Sequence, residues 1–134
     1  MTGIRSYRDL EAWKRSVDLA ERCYRFTADF PKSETFGLAA HIRRSAVSIA
    51  SNIAEGHSRR SRPAFVSFIS IAMGSQAELE TQIELARRLG MGRDAEALRL
   101  LELAAEVGRI LHGLRSALGK PPSNSASASK DTQP

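Results

Sequence analysis

The stretch IRRSAVSIASNIAEG, residues 42–56, sets the reading of the whole chain. Ile42, Ala46, Ile49 and Ile53 recur every three or four positions, which lines them along one face of an α-helix. That helix is expected to start at Ser33 or Thr35 and to run to Glu55, with Gly56 as its C-terminal stop. From Ser45 to Ala54 there is no charge in ten residues, although a bundle helix normally exposes charge at every turn. Val47 and Ala50 lie off the stripe, so this helix is expected to bury more than one face.

The same reading extends to both sides. Downstream, Ser61 is an N-cap candidate, and Pro63 is tolerated in the first turn that follows. Phe65, Phe68, Ala72, Leu79, Ile83 and Ala86 mark an inner face, Gly90 a stop. Pro63 to Ala77 is again uncharged, for fifteen residues. Upstream, Tyr7, Leu10, Trp13, Val17, Ala20 and Tyr24 share one face of a helix capped by Ser6 or Asp9 and ended by Phe30-Pro31. A last helix is expected from Asp94 to Leu118. One of its stripes is Leu98, Leu101, Leu111, Leu114 and Leu118; the other is Leu100, Leu103, Val107 and Ile110.

Strand signals are nearly absent, and the connections are short. The expected architecture is all-α: an antiparallel up-down-up-down four-helix bundle over residues 1–118, followed by a disordered Ser/Pro-rich tail at 119–134. The two uncharged stretches further suggest a cyclic homo-oligomer, with helix 2, helix 3 or both against another subunit. A tightly packed pair of helices within one chain explains the same pattern.

The composition of the 134 residues excludes several classes. One cysteine, Cys23, allows no disulfide within the chain. No run is apolar enough for a membrane helix, and the start MTGIRSYRDLEAWKR carries charges where a signal peptide needs an apolar core. A cytoplasmic protein is the expectation. His41, His57 and His112 have neither the Glu-x-x-His nor the H-E-x-x-H setting of a metal site. No nucleophile elbow or phosphate-binding glycine loop occurs, and Gly74-Ser75 lies mid-helix. No enzyme activity and no cofactor are expected. Cys23, flanked by Arg22 and Arg25, is either a thiol of lowered pKa or a half-buried helix residue.

Charge is more informative. Lys plus Arg total 20 against 15 acidic residues, a net charge of +5. Antiparallel helices would gather Arg5, Arg8, Arg59, Arg60, Arg62, Arg115 and Lys120 at one pole, opposed only by Asp9 and Glu55. At the other pole Lys32, Arg87, Arg88 and Arg93 are balanced by Asp29, Glu34, Asp94 and Glu96. A basic pole suits RNA or DNA phosphates without sequence preference, or simply aids solubility. Arg43 and Arg44 fall within reach of Glu78 and Glu80, in the same chain or a neighbouring subunit, as register or interface ion pairs. Asn52, beside the isoleucine stripe, is a register-setting polar residue.

Three segments resemble a known family: YRDLEAW (7–13), FPKSETFGLAAHIRRSAVSIASNIAEG (30–56) and FISIAMGSQAELETQIELARRLG (68–90). They are similar to the small four-helix-bundle proteins encoded in intervening sequences of bacterial large-subunit ribosomal RNA genes. The accessory variability proteins of diversity-generating retroelements are structural relatives of that family. The resemblance implies a homopentamer and, for the retroelement branch, a positive surface that engages nucleic acid and a reverse transcriptase. It places Arg44, Asn52, Glu55, Gly56, Gly74, Ser75, Glu78 and Glu80 at packing and register positions, and brings no catalytic residue. His41 stands where the family pattern usually has glutamine. A protein–protein scaffold with no nucleic-acid role is the alternative reading.

Overall fold

A computed structural model of the protein describes residues 4–119. Among the described residues all regular structure is helical: α1 (Glu11–Thr27), α2 (Leu38–Ser58), α3 (Arg62–Arg88) and α4 (Asp94–Gly119). Single 3₁₀ turns precede α1 at Tyr7–Asp9 and α2 at Lys32–Glu34. Each helix packs on two neighbours in the ring α1–α2–α3–α4, and the α2–α3 seam is the most extensive. The chain is a four-helix bundle. None of its helices is long and apolar enough to cross a membrane, within the described residues. Lys120 and the rest of the expected tail lie outside those residues; Gly119, placed in the tail, closes α4 instead.

The stripe of α2 is the centre of the core: Ile42, Ala46, Ile49 and Ile53 are all fully buried. Ile69, Leu79 and Ile83 face them from α3, Leu19 and Cys23 from α1, and Leu100, Val107 and Leu111 from α4. Burying one such aliphatic side chain contributes about 1.5–3 kcal/mol. Ser61 caps α3 as expected, its Oγ accepting from the Ala64 N–H at 3.3 Å. Gly90 closes α3 with a left-handed backbone, φ +74.

Three expectations about α1 and the start of α2 are corrected. The Ser6 cap is real but closes the 3₁₀ turn, because Leu10 adopts an extended backbone (φ −77, ψ 131) and restarts the chain as α1. The buried face of α1 is Ala12, Ser16, Leu19, Cys23 and Phe26, one residue round from the expected stripe. Val17 and Tyr24 lie toward solvent. Ser16 belongs inside because its hydroxyl donates to the Ala12 carbonyl at 2.7 Å, leaving no polar group unsatisfied. Finally, α2 starts at Leu38, not Ser33 or Thr35: the Glu34 carboxylate accepts from the Leu38 N–H at 2.9 Å across Gly37.

Gly56 does not end α2, which runs two residues further to Ser58. A Cβ at this position would lie 2.6 Å from Phe68 Cβ and 3.1 Å from the Phe65 ring. The missing side chain is what lets the first turns of α3 close onto the last turns of α2. Eight residues earlier, Ser48 Oγ meets Ser75 Oγ at 2.8 Å. Asn52 Nδ2 donates to the Ser48 carbonyl at 2.8 Å and to its hydroxyl at 3.0 Å, so three polar side chains pin one register of the seam.

Gly56→Val should therefore lower the urea-unfolding free energy by about 2 kcal/mol through overpacking. Gly113→Ala, whose Cβ meets nothing within 4 Å, should raise it by about 0.5–1 kcal/mol. An unchanged midpoint for Gly56→Val would mean that Phe68 has room to retreat.

Candidate nucleic-acid interface

The α2–α3 turn, residues 59–61, brings three arginines to one end of the bundle: Arg59, Arg60 and Arg62. The 3₁₀ turn at Tyr7–Asp9 packs on α2, and the residues leading into it, Ile4 to Ser6, share a cleft with this turn. Asp9 holds that strap in place. Its Oδ2 accepts from the backbone N–H of Arg5 at 2.8 Å and of Ser6 at 3.2 Å. These two hydrogen bonds keep the Asp9 carboxyl below its ordinary value of 3.8.

The structure sorts the expected basic cluster by how each side chain is engaged. The Arg59 guanidinium pairs with Glu55 at 2.9 Å and sits 5.0 Å from the centre of the Phe68 ring. Arg8 lies over the rings of Tyr7 and Trp13, at 5.6 and 5.4 Å. Arg115 donates to Ser70 Oγ at 3.3 Å, which ties α4 to α3. Arg5, Arg60 and Arg62 line one cleft of about 520 Å³, together with His57, Ser6, Ser58 and Ser61. No carboxylate lines it. Lys120 falls outside the described residues.

The other expected positions have different roles. Arg43 turns toward α1, donating to Thr27 Oγ1 at 2.7 Å and to the Tyr24 carbonyl at 3.2 Å, with its guanidinium 4.6 Å from the Tyr24 ring. Arg44 contacts His41 Nδ1 at 3.4 Å. Within one chain, then, neither arginine makes the expected ion pair with Glu78 or Glu80 among the described residues. Sequence spacing brought the helices level but did not show that Arg43 faces α1. Val47 and Gly74 are exposed and Ala50 is half-buried, whereas Asn52 and Gly56 are used inside the α2–α3 seam.

Cys23 is fully buried, and removal from water pushes its thiol up to about 12, with the Glu96 charge adding to the shift. The lowered value that its flanking arginines suggested is not found: the thiol points into the core, away from them. No group of His, Cys, Asp and Glu suited to a metal occurs among the described residues.

A second, larger groove of about 1110 Å³ runs between α1 and α4 and escaped the sequence reading. Arg15, Arg22, Arg25, Arg99 and Arg109 alternate along it with Asp18, Glu21, Glu96, Glu102 and Glu106. Arg15 bridges to Glu106 across it at 2.6 Å. Opposite charges cancel here, whereas the cleft at the pole carries one sign only.

The family model described as "23S rRNA-intervening sequence protein" matches residues 8–113. The chain belongs to that family. Among solved structures, a protein of unknown function from the S23 ribosomal protein family of Bacteroides thetaiotaomicron is similar. It is 24% identical, with a TM-score of 0.70, over 78% of this chain and 97% of that one. At this identity the likeness concerns the fold alone. No curated protein matches the chain. The family span holds His57, Arg60 and Arg62, while Arg5 lies before it and Arg115 beyond it.

The Asp9 contacts predict a pH response with a definite sign. A carboxyl with a depressed folded-state value supports the fold above its ordinary value, and that support fades as pH falls through the lower one. The Arg5 and Ser6 amide resonances should titrate together with the Asp9 carboxyl, with a midpoint below 3.8. An acid midpoint at or above 3.8 would show that these hydrogen bonds do not hold the carboxylate.

Proposed function

We propose that this protein is a non-enzymatic, antiparallel up-down-up-down bundle that assembles with copies of itself and whose basic pole holds RNA or DNA backbones without reading their sequence. One observation carries the nucleic-acid reading: arginines from the strap, the α2–α3 turn and the first turn of α3 meet at a cleft that no carboxylate lines. Phosphate is the natural counter-charge, and the attraction is sequence-independent. The pairing of Ser48 with Ser75, Gln76 with the Ala104 carbonyl and Arg15 with Glu106 supports the antiparallel topology. The cytoplasm is the compartment in which such a protein would meet its ligand. A reverse transcriptase becomes a partner only if the gene lies in a retroelement.

Self-assembly is supported by the outer face of α2 and α3. Val47 and Ile71 are 41% and 50% exposed, next to the open surface at Gly74. The count of five comes from the family resemblance. These apolar side chains also favour a second reading, in which the partner is another protein and the charge serves solubility.

RNA binding measured at two salt concentrations tests the first reading. Wild type should bind more weakly at the higher salt. Arg5, Arg60 and Arg62 exchanged together for alanine should flatten the salt slope by about 2, at about 0.7 per lost single-strand phosphate contact. No binding even at low salt would leave the scaffold reading in its place.

Gly74→Leu tests the assembly. Nothing in the chain lies within 4 Å of the added Cβ, so the fold should hold while a close neighbour is excluded. Light scattering should show a fall in mass. An unchanged mass would mean that this face is not the contact.

A further inference from the structure

We infer that the cleft between the strap at residues 4–7 and the α2–α3 turn is a seat for one phosphate group, a discrete site within the basic pole. The inference rests on the pole reading above and narrows it to particular side chains. Arg59 is taken up by Glu55 and Phe68, Arg8 by two aromatic rings, and Arg115 by Ser70. Arg5 and Arg60 line the cleft together with Arg62 and the His57 imidazole. Glu55 is taken up by Arg59, while the Asp9 carboxylate, outside the cleft lining, is held by the Arg5 and Ser6 backbone N–H groups and stays charged beside it. Arg5, Arg60 and Arg62 outnumber that one charge, so the lining keeps a net positive field.

Two further observations point the same way. Ser6 Oγ accepts from the Arg8 N–H and Ser61 Oγ from the Ala64 N–H, so each hydroxyl is anchored by an acceptor contact and keeps its own proton to donate. Both serines line the cleft. Arg60 is the only non-glycine among the described residues with a left-handed backbone, φ +56. That conformation disfavours a side chain by about 1–2 kcal/mol, and such strain gathers at binding sites. Guanidinium forks, hydroxyl donors and an imidazole on one concave surface suit a tetrahedral oxyanion. The α1–α4 groove is larger, but its alternating charges give an anion no net attraction.

The phosphate belongs either to the end of a nucleic-acid chain or to a diester within it. Titration of the full chain with inorganic phosphate, followed by amide NMR, tests the seat itself. The amides of Arg5, His57, Ser58, Arg60 and Ser61 should shift together. The double variant Arg5→Ala with Arg60→Gly should weaken phosphate binding about tenfold, as expected for lost charged hydrogen bonds. Its fold should persist, because the Arg5 contact to Asp9 is made by the backbone and glycine accepts a positive φ. Arg99→Ala with Arg109→Ala removes the same charge from the α1–α4 groove and should change binding less than about twofold.

A 5′-phosphorylated and a 5′-hydroxyl form of one RNA oligonucleotide then separate the two sources. Tighter binding of the phosphorylated form, lost in the Arg5/Arg60 variant, assigns the seat to chain ends. Equal binding of both forms, weakened alike by the variant, assigns it to internal diesters. Unmoved cleft amides, or equal losses in the two double variants, would overturn the seat even where RNA still binds and the pole reading stands. Shifts with phosphate but no binding of either RNA would overturn the pole reading and leave the seat.

Discussion

The backbone of α2 at Gly56 lies so close to Phe68 that no side chain fits between them, and the rest of the bundle follows from that contact. It sets how deeply the first turns of α3 sink onto α2, and hence how sharply residues 59–61 must turn. Ser48, Asn52 and Ser75 fix the sliding coordinate of the same seam. With distance and register both set, Ile49 and Ile53 meet Ile69, Leu79 and Ile83 in a closed core. That turn also holds Arg60, whose backbone is left-handed, φ +56.

That surface shows how similar residues acquire different work. Arginines that look equivalent as a cluster divide into those that pack on rings, those that close ion pairs and those that line a cleft. An arginine stacked on an aromatic ring and paired with a carboxylate gives up part of its attraction for an outside anion. The opposite pole shows the other solution. There Arg87 meets Asp94 at 3.0 Å and Arg88 meets Glu84 at 2.9 Å, and the charges are neutralised locally.

Much of this was legible in the chain. The α2 stripe, the Ser61 cap, the Gly90 stop and the Asp94 start depend on residues within one or two turns of each other, and the structure has all four. The inner face of α1 was read one residue away, about 100° round the helix. Large aromatic residues drew the stripe toward Tyr24, while the true core face holds Ser16 and Cys23, whose burial depends on a backbone acceptor and on the neighbouring helices. Arg43 misled for a related reason. Its partners, Thr27 and the Tyr24 carbonyl, are ordinary residues with no charge to advertise them.

The amino-acid sequence by itself determined the helical class, the number of helices, the ends of α3 and α4 and the excess of positive charge. These depend on local periodicity, capping chemistry and composition, all of which act over a few residues. Only the tertiary structure decided which arginines line the cleft, that Gly56 is a contact and not a stop, and that the strap and the α2–α3 turn enclose that cleft. Each of those outcomes is a distance between residues far apart in the chain. Such distances exist only once the α2–α3 seam has closed.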